Sequence, residues 1–462
     1  MAMATETPVT RSASGTYKLV LASVSVLAAG ALAGVGASWL AHTSAGTYDA
    51  KGLIDSGDTA WVLAASALVM IMTPGVGFFY GGMVRSKNVV SAIKQSLVIL
   101  AIVSVQWVLF GYSLAFGPDM GGGLLGGPEF FGLRGVGYAP NSNYAATIPH
   151  LAYMIFQAMF AIITPALIIG AFVERIRFST LIVFILLWST LVYDPIAHWV
   201  WSTDGWLHKL GTLDFAGGTV VHASSGFAAL AAALAVGKRN DFQKGKPIEG
   251  NNVPLTIVGA ALLWFGWFGF NAGSAVAASA LAVNAFVVTN TCAAAAALIW
   301  MILSWVQYGR PSALATATGA IAGLVVITPA SGYVRPLSSI AIGILGGLVT
   351  YLMLVLRNKL MNVDDTLDVW AVHGVGGIVG ALLTGVFAER VINSAGGANG
   401  LFLGHPEQLL PQTIAVLATI VYSFVVTFLL LKLISFMGLR VNQREELVGL
   451  DLAAHGEEGY RI

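Results

Sequence analysis

From Asp58 to Gly438 the chain divides into eleven apolar stretches, each close to the ~20 residues that a helix needs to cross a bilayer. They fall at about 58–83, 92–116, 150–173, 178–201, 216–236, 253–275, 285–307, 312–332, 336–357, 366–388 and 410–437. With only 10% charged residues, 57% hydrophobic residues and a mean hydropathy of +0.80, the expected class is an all-α polytopic membrane protein. A net charge of +1 gives no sign of a nucleic-acid partner. The single cysteine, Cys292, excludes an intramolecular disulfide framework and a CxxC metal site, and its Ala-rich surroundings suit packing. The 54 glycines suit close helix approach in lipid.

Residues 1–45 form a leader: a polar start, Lys18, an apolar run from Leu19 to about Leu40, then small residues such as Ala45. This order reads as a cleaved signal sequence, although the length of the run also fits an uncleaved anchor. The membrane domain is expected over 46–438 and a polar tail over 439–462.

The connections alternate in charge. One set carries Arg85, Lys87, Lys94, Arg175, Arg177, Lys238, Arg239, Lys244, Lys246, Arg310, Arg357 and Lys359; the other carries only Arg134, Lys209, Arg335 and Arg390. The positive-inside rule makes the first set cytoplasmic, with the mature N-terminus outside the cell inner (plasma) membrane and the C-terminus inside. The longest outer loop, about 117–149, is rich in Gly, Pro and Asn and is expected to be irregular.

Two halves of the chain echo each other. Gly77-Phe-Phe-Tyr-Gly-Gly82 resembles Gly269-Phe-Asn-Ala-Gly-Ser274, and Asp214…Val221-His222 recurs as Asp365…Val372-His373. In each, His follows the carboxylate by eight residues and Gly follows four later, at Gly226 and Gly377. Five segments (about 58–236) repeated as five (about 253–388) must be inverted, because five is odd; the eleventh, about 410–437, stands outside the repeat. Eight helical residues rise about 12 Å, against a hydrocarbon half-thickness of about 15 Å. His222 and His373 thus approach the midplane from opposite faces. An intramembrane histidine is a functional-site hypothesis by default, and the duplication strengthens it over two satisfied core residues. No third ligand at helical spacing supports a metal, and no cofactor is implied.

Phe160, Trp201 and Phe270 are placed toward the outer ends of their segments, with Ser274 one turn beyond Phe270. Aromatic faces attract cations and a hydroxyl accepts N–H donors; an interfacial aromatic belt is the alternative. Asp214 opens a segment ahead of Ala216-Gly-Gly-Thr, as a helix cap with an indirect pull on cations or as their ligand. Asp365 and Asp368 are its expected inner counterparts, more exposed.

The strings Phe79-Tyr-Gly-Gly-Met-Val-Arg-Ser-Lys-Asn88, Phe156-Gln-Ala-Met-Phe160, Asp214-Phe-Ala-Gly-Gly-Thr-Val-Val-His222, Gly266-Trp-Phe-Gly-Phe270-Asn-Ala-Gly-Ser274 and Val372-His-Gly-Val-Gly-Gly377 resemble the ammonium transporter (Amt/Mep/Rh) superfamily, in its bacterial Amt branch. The resemblance runs from about Asp58 to the C-terminus, where Gly449-Leu-Asp-Leu-Ala-Ala-His-Gly-Glu457 is similar to the family's tail motif. It implies a non-enzymatic homotrimer that moves ammonium. Trp201, Phe160 and Ser274 would form an external recruitment site, Phe160 and Phe270 a gate, and His222 and His373 the pore. Phe79, Tyr80 and Val369 would be inner pore wall or simple packing, and His198 structural. A PII-type signal protein is the implied cytoplasmic partner. One extra residue between Trp201 and Asp214 and a longer leader depart from the family pattern. The other reading is a receptor that uses the same site to sense ammonium through a cytoplasmic partner.

Overall fold

The chain is described here by a computed structural model over residues 53–246 and 248–460; the leader expected at 1–45 lies outside them. Among the described residues there is no strand, only three isolated bridges between loop residues. Ten helices among the described residues are long and apolar enough to cross a bilayer. They are α1 (Ser56–Met83), α2 (Ser86–Phe116), α3 (His150–Ala171), α4 (Phe178–Lys209, broken after Trp201), α5 (Gly218–Val236), α6 (Val253–Gly273), α7 (Ala280–Tyr308), α9 (Pro336–Leu360), α10 (Trp370–Phe387) and α11 (Pro406–Met437).

The stretch expected over 312–332 differs. Its helix, α8, is Ala313–Ile327, 15 residues and therefore about 22 Å long, short of the ~30 Å hydrocarbon core. Pro329 has no N–H to continue the helical ladder, and the chain goes on as buried turns. The Pro329 carbonyl accepts from Phe215 N at 3.1 Å, so the unwound end of α8 receives the start of α5.

Two pairs of helices, α1 with α6 and α5 with α10, make the tightest crossings at glycines. α1 and α6 approach so closely that a Cβ on Gly259 would lie 2.2 Å from Phe79 N. α5 and α10 cross just as tightly: a Cβ on Gly226 would lie 2.1 Å from Gly374 Cα, and one on Gly377 would lie 2.6 Å from Ala223 N. The glycine four residues after each histidine is the condition for this crossing. α3 is buried almost throughout, whereas α7, α9 and α11 keep apolar faces on the outside.

The polar tail folds back. Two short helices, α12 (Gln443–Val448) and α13 (Leu450–His455), dock on the start of α2. The Asp451 carboxylate accepts from Val90 N and Ser91 N at 3.0 and 2.7 Å, and Lys87 Nζ donates to Glu446 O at 3.0 Å. Nearby, fully buried Glu174 accepts from Arg85 N (2.8 Å), Asn88 Nδ2 (3.0 Å) and an Arg239 guanidinium nitrogen (3.0 Å). Arg239 also pairs with Asp364 at 2.7 Å, linking three connections on one face.

Candidate functional site

The fold brings the two histidines into contact. Nδ1 of His222 and Nδ1 of His373 are 3.3 Å apart, with both residues buried. Each sits in a π-helical first turn, Gly218–Ala223 in α5 and Trp370–Val375 in α10; such turns add a residue to the helical repeat and are frequent at functional sites. One proton between the facing nitrogens makes one ring donor and the other acceptor. His222 Nε2 has no protein partner.

These imidazoles line a closed, narrow lumen with Val76, Phe79, Tyr80, Ile163, Trp267 and Phe270. Its free space is about 10 Å³, close to what a single water centre occupies. The lining's other polar atoms are engaged: Tyr80 donates its hydroxyl to Leu167 O at 2.9 Å, and Trp267 Nε1 donates to Thr328 Oγ1 at 2.8 Å. Trp267 also stacks on His222, with centroids 5.3 Å apart.

Phe160 and Phe270 separate this lumen from a wider vestibule. Their centroids are 4.3 Å apart and both rings are buried. Phe160 lies midway along α3, deeper than expected, because the vestibule descends into the helices. The vestibule, about 160 Å³, is lined by Trp201, Ser274, Tyr144, Tyr153, Gln157 and His208 among others. Trp201 is edge-on to Phe160 (5.6 Å) and donates Nε1 to Asp214 O at 3.0 Å. Ser274 donates its hydroxyl to Phe270 O at 2.9 Å, leaving its lone pairs for N–H donors.

The Asp214 carboxylate turns toward the helix. Oδ1 accepts from Gly217 N and Gly218 N at 2.8 and 2.6 Å; Oδ2 accepts from Thr219 N at 2.8 Å, Val220 N at 3.3 Å and the Thr219 hydroxyl. These are orphan donors of the first turn of α5. The expectation of a more exposed inner counterpart fails at Asp365, which is 1% exposed against 5% for Asp214. Asp365 accepts from Trp370 N at 2.8 Å and lies 3.8 Å from buried Arg357. Arg357 in turn binds Asp368, which is half-buried with a left-handed backbone (φ +61°).

Phe79 and Tyr80 face the lumen, and Val369 converges with Tyr80 beside Gly170. His198 lies outside the lumen; its ring meets Ala115 O at 3.0 Å and Asp119 Oδ1 at 3.2 Å, tying α4 to the outer loop. Trp267 was legible only as part of a motif string, and Tyr144 carried no signal because a loop residue has no periodicity to place it. Among the described residues no group of three or more His, Cys, Asp or Glu is arranged to hold a metal ion.

A bundle of apolar helices around a closed lumen, with a vestibule on one side, defines a multi-pass membrane protein of the transporter class. The profile of the Ammonium Transporter Family matches residues 60–460, and the chain belongs to that family. It is 49% identical to an ammonium transporter of Bacillus subtilis, over 88% of this chain and 98% of that one. Among solved structures, Saccharomyces cerevisiae Mep2 superposes with a TM-score of 0.81 at 39% identity, over 86% of this chain and 90% of that one. A structure titled Sensor Amt Protein gives 0.79 at 32% identity, over 86% and 98%. The family is one of transporters rather than enzymes.

Proposed function

We propose that the chain recruits external ammonium at Trp201, Phe160 and Ser274, strips it of a proton, and conducts ammonia past Phe270 and the His222–His373 pair, while the released proton crosses by a separate path. The observation that carries this reading is the lumen's chemistry: apolar walls and a twin imidazole in about 10 Å³ of free space. Such a space offers a cation no hydration shell and no counter-charge, and an unpaired charge there is expensive. An uncharged N–H species can use the imidazole nitrogens as donor and acceptor. Ammonium can lose its charge by giving up a proton at the vestibule. Potassium cannot, which gives selectivity without a size filter.

In this reading the Asp214 cap adds a negative potential beneath the vestibule, and Phe160 with Phe270 forms the gate. Phe79, Tyr80 and Val369 form the inner wall. The eleven segments comprise two inverted repeats of five plus the last, and the protein acts as a homotrimer in the plasma membrane. The N-terminus is outside, and the tail inside is available to a PII-type signal protein. A second reading, an ammonium sensor built on the same site, is favoured by the likeness to the Sensor Amt Protein structure.

Liposomes holding the purified protein, studied on a solid-supported membrane, test the proposal. The expected result is a current after an ammonium jump, because the proton follows the ammonia, with none after a potassium jump and an altered response in His222→Ala/His373→Ala; a dye response without current means that ammonia crosses alone. Current without ammonium selectivity overturns the mechanism. Silence by current and by a pH-sensitive dye, with ammonium binding retained, favours the sensor.

A further inference from the structure

Away from the lumen, α2 and α4 each contain a π-helical turn, Trp107–Gly111 and Ser189–Tyr193, and a polar pair bridges them. Gln106 and Asp194 are both 0% exposed. Gln106 Nε2 donates to Asp194 Oδ2 at 2.8 Å and to Thr190 Oγ1 at 3.3 Å, which uses both amide hydrogens. Gln106 Oε1 and Asp194 Oδ1 remain as buried acceptors with no donor. Gly111 makes the room for this, since a Cβ there would lie 2.6 Å from Gln106 Oε1.

Nothing positive faces the carboxyl. Among the described residues no Lys, Arg or His forms an ion pair with Asp194. On its own helix it has the hydroxyls of Ser189 and Tyr193, and His198 one turn on, whose ring is committed to Ala115 O and Asp119. α2 contributes Gln106, α3 contributes Tyr153 beside Tyr193, and the α11 hydroxyl of Tyr422 is held by Leu191 O. A bare carboxylate here would be a membrane-buried charge without a counter-ion. One proton removes the uncompensated charge: the carboxyl keeps an oxygen that accepts from Gln106 Nε2 and gains a hydroxyl, the donor that this cluster of acceptors lacks. Turning the carboxamide by a half-rotation leads to the same requirement. Its oxygen then faces Asp194 Oδ2, and only a proton between the two makes a bond.

We propose that Asp194 is a proton-binding site separate from the pore, a neutral carboxylic acid paired with the Gln106 carboxamide that ties α2 to α4 inside the membrane. The inference is independent of what the lumen conducts. Infrared spectra of the full chain in liposomes, wild type against Asp194→Asn and Gln106→Leu, test it. The wild type should show a carboxylic-acid carbonyl band that persists across neutral pH, moves on [4-¹³C]aspartate labelling and is lost in Asp194→Asn. In Gln106→Leu the same band should rise in frequency, because its hydrogen-bond partner is gone. A carboxylate band in the wild-type-minus-Asp194→Asn difference, or an acid band that titrates away near neutrality, overturns the assignment. If Asp194→Asn does not fold, an acid band unmoved in Gln106→Leu overturns it equally.

Discussion

Asp214→Asn separates a cap from a cation ligand. The native carboxylate is 5% exposed and serves four backbone N–H groups and one hydroxyl, split between its two oxygens. Asparagine keeps one oxygen and points an NH₂ group at whatever the other oxygen served. Either orientation leaves at least two backbone donors of the α5 first turn facing a donor. Each deserted buried group costs about 1–3 kcal/mol, so the gross loss is about 2–6 kcal/mol. The easier burial of a neutral side chain returns part of it. We expect a net destabilisation of about 2–4 kcal/mol, read in detergent-solubilised protein as a fall in melting temperature on the order of 5 °C. Transport should fall with it, because the turn that Asp214 holds carries His222. An unchanged melting temperature would refute the capping argument. If transport were then lost, the carboxylate would be acting on the cation directly.

Two further outcomes follow from packing and charge. Gly226→Ala should abolish conduction in liposomes even if the protein still folds, because its Cβ would enter the Gly374 backbone at 2.1 Å and drive α5 from α10; wild-type conduction would contradict the crossing. At the face where the tail docks, burial pushes Glu174 upward, but Arg239 and Arg85 outweigh it and hold the carboxyl below its ordinary range. A depressed folded value means stabilisation that is present above the unfolded value of about 4.3 and lost as pH falls through the folded one. Glu174→Gln should therefore lower thermal stability at neutral pH, by about 3–5 kcal/mol for a broken buried pair, and the two melting temperatures should converge below about pH 4. A gap that stays constant with pH would show that the ion pairs are not its source.

The positions of the helices were legible because lipid forces each crossing segment to satisfy its own backbone, so length and hydropathy locate it. The short α8 was not, since the apolar run continues through Val334 while Pro329 has already stopped the helix. The duplicated Asp…Val-His pattern pointed to two rings at one depth, and they touch. What sequence could not rank was exposure: Asp365 and Asp368 look alike in the chain, but Asp365 turns inward to accept from Trp370 N, whereas Asp368 pairs with Arg357 and stays half-buried. The Gln106–Asp194 pair was equally invisible. Its partners lie 88 positions apart, and no pattern announces that two π-helical turns will face each other.

The crossing of α5 and α10 also limits how anything can move through the protein. A rocking carrier needs a slip plane through its binding site, where side chains can slide past one another as the halves tilt. Here the two halves meet backbone to backbone at the histidines, with no layer of side chains between them to shear. The centre is thus a weld, and in the proposed reading the moving parts are the phenyl rings of Phe160 and Phe270 beside it. If the proposed gate holds, throughput is set by how often these two rings part rather than by tilting of the scaffold.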